Sequence, residues 1–85
     1  MSSLEKAKER LRNLPKDYTY DEARRLLNRI GFEEHTQGKT SGSRVGFYRK
    51  ADDSVILLHK PHPQNVMSSG AVKALATFLN AKGDL

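Results

Sequence analysis

Three histidines are the side chains in this chain best suited to proton transfer near neutral pH: His35, His59 and His62. Two of them fall in the segment His59-Lys60-Pro61-His62-Pro63, with an ammonium between them. Cleavage of RNA without a metal needs a general base for the 2′-hydroxyl and a general acid for the leaving oxygen. It also needs cations for the charge that builds on the phosphate. This segment supplies those residue types, although two histidines in a surface loop would look the same. His59-x-x-His62 is a poor metal pair: the chain has no Cys, and the nearest preceding acid is Asp53. No metal and no other cofactor is expected. The loop Gln37-Gly38-Lys39-Thr40-Ser41-Gly42-Ser43 holds two glycines. It lacks the glycine spacing of a P-loop and does not open a helix, which argues against nucleotide hydrolysis. As a hairpin tip carrying Lys39 and Arg44, it could instead touch a nucleic-acid backbone.

The charge is unevenly spread. The chain has 85 residues, with 15 Lys+Arg against 10 Asp+Glu and a net charge of +5. Residues 1–34 are nearly balanced, whereas residues 35–51 and 54–83 contain no acid. Such a one-sided field favours polyanions, nucleic acid first; the plainer reading is a basic surface that serves solubility. The length allows one domain with a thin core. No stretch approaches the roughly 20 apolar residues of a membrane span. The start, Met1-Ser2-Ser3-Leu4-Glu5-Lys6, shows no apolar signal region. With zero Cys, these features set the expectation of a cytoplasmic protein that contacts no membrane.

The elements that must position these residues are legible. Ser2-x-x-Glu5 opens a first helix with Leu4, Ala7, Leu11 and Leu14 at helical spacing, and Pro15 ends it. Its apolar stripe is narrow, which suggests loose packing. Thr19-x-x-Glu22 opens a second helix, with Ala23, Leu26, Leu27 and Ile30 on one face and Gly31 at its end. Arg24, Arg25 and Arg29 lie off that face and read as solvated surface. From Phe32 to Pro61 the period changes to two: strands over 32–36, 44–50 and 55–60, with a turn at 51–54. A final helix starts near Ser69, with Val72, Leu75, Ala76 and Leu79 inward, and Gly83 closes it. The fold class is α+β: a three-stranded antiparallel sheet with helices on one face, in the order helix, helix, three strands, helix.

One sheet face is then left open. A tight turn at 51–54 places Val45, Phe47, Ile56 and Leu58 on the core face. Arg44, Gly46, Tyr48, Leu57 and His59 share the other. On that register His59 faces Gly46, one diagonal step from Arg44. His35 reads only as a partly buried or surface histidine near the loop.

The run Tyr20-Asp-Glu-Ala-Arg-Arg-Leu-Leu-Asn-Arg-Ile-Gly31-Phe32, followed by Gly42-Ser43-Arg44-Val45-Gly46-Phe47, His62-Pro63 and a short closing helix, resembles the HicA toxin family. Its members are small mRNA interferases of type II toxin–antitoxin systems. The resemblance covers about residues 18–83, which implies a HicA-like domain over 18–85 with residues 1–17 as an N-terminal helical extension. It implies a double-stranded-RNA-binding-like α-β-β-β-α fold, mRNA as substrate and a HicB-type antitoxin as protein partner. The family usually reads Gly-Ser-His, with that His catalytic; this chain has Gly42-Ser43-Arg44. A guanidinium stays protonated and cannot be the base, but it can hold phosphate.

Two readings follow. In one, the proton work has moved: His59 and His62 are the candidate base and acid, with Arg44 on the phosphate. Ser43, Lys39, Arg49, Lys50, Lys60 and Lys73 then contribute to RNA binding. In the other, the chain is a binding module, for RNA or for an antitoxin, that has lost cleavage.

Overall fold

The computed structural model describes residues 3–35, 44–61 and 65–85. Three helices and three strands follow in the order α1 (Ser3–Arg12), α2 (Tyr20–Arg29), β1 (Glu33–His35), β2 (Arg44–Arg49), β3 (Ser54–His59) and α3 (Ser69–Ala81). The strands form one antiparallel sheet, ordered β1-β2-β3. The fold is α+β, as the periodicity predicts. Among the described residues, no helix is long and apolar enough to cross a membrane.

Local chemistry explains the helix ends. Thr19 and Glu22 close the full capping box at the start of α2. At its other end the Gly31 N–H donates to the Asn28 carbonyl, and the Phe32 N–H donates to the Leu27 carbonyl at 2.8 Å. This Schellman arrangement requires the positive φ of Gly31, +101°. It delivers Phe32 directly into the core. Ser68 caps α3 by accepting from the Ala71 N–H.

The core lies between the helices and one sheet face. Leu26, Leu27, Phe32, Phe47, Leu75 and Leu79 are all at or below 1% exposure. The first helix packs more tightly than its narrow stripe predicts, because Leu11 is fully buried in the same core. Leu14 does not follow it. The helix ends at Arg12, and Leu14 takes a positive φ of 49° and stays exposed. An ion-paired cluster fastens α1 to α2: the Arg10 guanidinium bonds both Glu22 and Asp17. The Arg10 bond holds the Glu22 carboxyl below its ordinary value of 4.5, helped by the Thr19 backbone N–H. A depressed carboxyl stabilises the fold above its unfolded pKa and loses that contribution as pH falls through the folded value. Glu22→Gln should therefore lower stability at pH 7 while flattening the loss of stability below about pH 4.5. Urea melts of both proteins at pH 7 and pH 3 check this, and equal pH sensitivity would refute it.

Candidate RNA-binding face and strand-end site

Strand alternation sends Val45, Phe47, Ile56 and Leu58 toward the helices, as expected. The faces hold but the register differs. Arg49 pairs with Ser54, so the turn is a four-residue loop, 50–53, and not a tight one. Asp53 completes it in the left-handed region at φ 55°, a conformation Asp tolerates better than most residues. Every pairing moves by two residues from the expected one. His59 stands opposite Arg44, not Gly46, and Gly46 stands opposite Leu57. Leu57 fills the room above Gly46: a Cβ there would lie 3.4 Å from Leu57 Cδ2.

The open face therefore has three rows. Glu33, Tyr48 and Val55 form one; His35, Gly46 and Leu57 the next; Arg44 and His59 the last. Val55 and Leu57 are 55% and 58% exposed. They line a shallow depression of about 310 Å³ with His35, Gly46, Phe47 and Tyr48. The His35 ring meets Tyr48 edge-on at 6.2 Å. The Tyr48 hydroxyl donates to Asp53 Oδ1 at 2.6 Å, and this bond raises the Tyr48 pKa.

The end of the sheet that carries His59 is the chemically richer one. Lys60 follows His59 and sets its ammonium 5.9 Å from the centre of the Tyr20 ring. Tyr20 lies beneath the sheet against Phe47 and donates through its hydroxyl to Glu34 Oε2 at 2.6 Å. Burial, then the Glu34 bond, raises its pKa, so Tyr20 remains a neutral donor. Arg44, His59 and His35 thus lie on the open face, whereas Lys60, Tyr20 and Glu34 are linked on its helix side. His35 is exposed, and its place on the open face is one the sequence reading left unassigned. Its signal was present: His35 is three residues past the buried Phe32, so it has the opposite strand parity.

Other expected contacts do not join this group. Arg49 lies on the core side with its side chain only 11% exposed. It binds both Asp52 oxygens, donates to the Ile30 carbonyl at 3.1 Å and pairs with Asp84 Oδ2 at 2.9 Å. Its guanidinium stacks 4.6 Å over the Phe32 ring. Arg49 is therefore a fastener within the fold, because a planar cation can satisfy two carboxylates and a ring together, and its charge is already matched. This engagement sets Arg49 apart from the exposed cations of the expected RNA-binding set. Lys50 is exposed in the loop at the far end of β2 from His59. Lys73 is exposed on α3, in a groove with Arg12, Leu14 and Ala76, within the helix layer and off the open face. Lys39, Ser43 and His62 lie outside the described residues; of Arg44 only the backbone position is described.

Compared with known proteins, the chain matches no family model, no curated protein and no solved structure.

Proposed function

We propose that this protein is a HicA-like toxin that binds mRNA and cleaves it without a metal, in the cytoplasm, under the control of a HicB-type antitoxin. The observation that carries the reading is the cross-strand pairing of Arg44 with His59 at one end of an open sheet face. The backbone register then sets an arginine position directly opposite a histidine position. With His62 as a second proton-transfer group, these are the residue types that transphosphorylation by the adjacent 2′-hydroxyl needs. Arg44 holds the phosphate and offsets the charge that builds there. His59 and His62 divide the base and acid roles. Lys60, its ammonium over the Tyr20 ring on the helix side of the sheet, adds a cation at the same strand end, and the depression around Leu57 gives a neighbouring nucleotide an apolar surface.

An RNA-cleavage assay in EDTA, with a fluorescent single-stranded substrate, tests this directly. Cleavage that survives EDTA and leaves 2′,3′-cyclic phosphate ends supports the reading. Tight RNA binding with no cleavage would leave the binding-module reading in its place.

Salt dependence maps the contact surface. Lys60→Gln should reduce the slope of log affinity against log salt by about 0.7, the expectation for one phosphate contact on a single strand. Lys73→Gln, in the helix layer, should leave the slope unchanged. Equal effects from both lysines would place the RNA path elsewhere.

A further inference from the structure

The helix layer holds a pocket that RNA cleavage does not use. It lies between α1 and α2 and has a volume of about 410 Å³. Ser3, Ala7 and Arg10 share one stripe of α1, and Glu22, Arg25, Leu26 and Arg29 share one stripe of α2. The two stripes are tied at both ends. Arg10 bonds Glu22 at one, and Arg29 Nη1 donates to Ser3 Oγ at 2.6 Å at the other. Between the ties α1 offers only the methyl group of Ala7, which leaves the gap unfilled. Leu26 and Tyr18 add an apolar wall.

The charge of this pocket is ordered along its length. At one end Glu22 is matched by Arg10, which also binds Asp17. At the other, Arg25 makes no hydrogen bond or ion pair among the described residues, and Arg29 bonds only the Ser3 hydroxyl. Two exposed guanidiniums, one helical turn apart, thus line the pocket without a carboxylate. Tyr18 is an independent observation. It lines the pocket, is 1% exposed, and its hydroxyl has no hydrogen-bond partner among the described residues. Burial, and then the charge of Glu22, pushes its pKa up to about 12, so it stays a neutral donor at the Glu22 end. Polar groups covered this deeply are normally paired. An acceptor seated in the pocket would complete this one.

We propose that the pocket binds a small aromatic acid. Its oxyanion head, carboxylate or phosphate, sits on Arg25 and Arg29; its ring lies over Ala7 and Leu26; a polar atom at its far end accepts from the Tyr18 hydroxyl. Planar guanidiniums hold oxyanions through paired N–H donors, and Arg29 keeps donors beyond the one on Ser3. The reverse orientation would set the anion against Glu22. The rise of α2 from Glu22 to Arg29 is about 10 Å, which matches a one-ring acid with a para substituent. The volume is at the small end of ligand sites, and the ties at both ends close the groove to a partner helix. The inference stands whether or not the protein cleaves RNA.

The probe is para-hydroxyphenylacetate, titrated into the isotope-labelled protein and followed by amide chemical shifts. Saturable shifts at Ala7, Tyr18, Arg25 and Leu26 are expected, with a Kd of about 1 mM or tighter. Arg25→Gln and Arg29→Gln should each weaken binding about fivefold or more. Tyr18→Phe deletes only an unpaired hydroxyl, so it should fold as the parent does. It should weaken para-hydroxyphenylacetate about fivefold and leave phenylacetate unchanged, a contrast that a merely structural role would not produce. Whichever of para-hydroxyphenylacetate and para-hydroxyphenyl phosphate binds tighter identifies the head. No saturation at tens of millimolar, tyramine or acetate alone binding as tightly as the probe, or unchanged binding in Arg25→Gln would each overturn the proposal. An acidic peptide that saturates the same amides far more tightly than the small acids would overturn it in favour of a protein partner.

Discussion

His59→Ala is expected to slow RNA cleavage by about 10²–10⁴-fold, the usual contribution of one positioned acid–base group. His59 ends β3, is exposed and has no part in the core, so the variant should fold as the parent does. RNA affinity should fall little, because the proposed phosphate contacts rest on Arg44 and Lys60. The pH profile makes the prediction sharper. If His59 carries a proton in the reaction, the variant should lose one limb of the rate profile as well as rate. His59→Gln should not restore it, since an amide copies the shape of the imidazole but not its titration. Arg44→Lys separates the partner's role. Lysine keeps the charge and loses the planar fork, so cleavage should drop while the pH profile keeps its shape. Full activity in His59→Ala would move the proton chemistry to His62 or His35.

The largest effect on stability is expected at Arg49. Its guanidinium joins the end of α2, the 50–53 loop and the C-terminal Asp84 in one contact set. Its stem also covers Gly31: a Cβ there would lie 3.1 Å from Arg49 Cδ. Arg49→Ala removes the cation–ring contact, the bond to the Ile30 carbonyl and the partner of the Asp84 carboxylate together. A loss of about 2–3 kcal/mol follows from stranding such partners in a largely covered site. Urea denaturation measures it. Arg49→Lys should recover only part, because an ammonium cannot bind two carboxylates and stack on a ring in one geometry. The RNA salt slope of this variant, measured where it is folded, should be unchanged. A reduced slope would return Arg49 to the RNA-binding surface.

Much of the frame was readable because its determinants are local. The capping box at Thr19 and Glu22, the glycine that ends α2 and the apolar faces of α2 and α3 depend on residues within a turn or two of each other. Local hydrogen bonds and helical periodicity decide them, so the sequence displays them directly. The same locality explains the failure at Leu14. Helical spacing continues through that position, but Pro15 cannot follow a helical residue without a clash, and the chain leaves the helix first.

The candidate site was only partly readable. Alternation sorted β2 and β3 correctly into core and open faces, because a one-residue slip would have buried Tyr48 and exposed Phe47. It could not choose between registers two residues apart. Such registers put every side chain on the same face, so the hydrophobic pattern is identical for both. The loop decided, through the left-handed Asp53 and the Arg49–Asp52 pair that together close four residues rather than two. Residue types and face were therefore set by the sequence alone: a histidine, an arginine and an apolar strand on an open sheet. The tertiary structure chose which of them meet. It set His59 against Arg44, laid Leu57 over Gly46 and turned Arg49 inward onto Phe32, because those meetings depend on how distant segments satisfy one another's charge and volume.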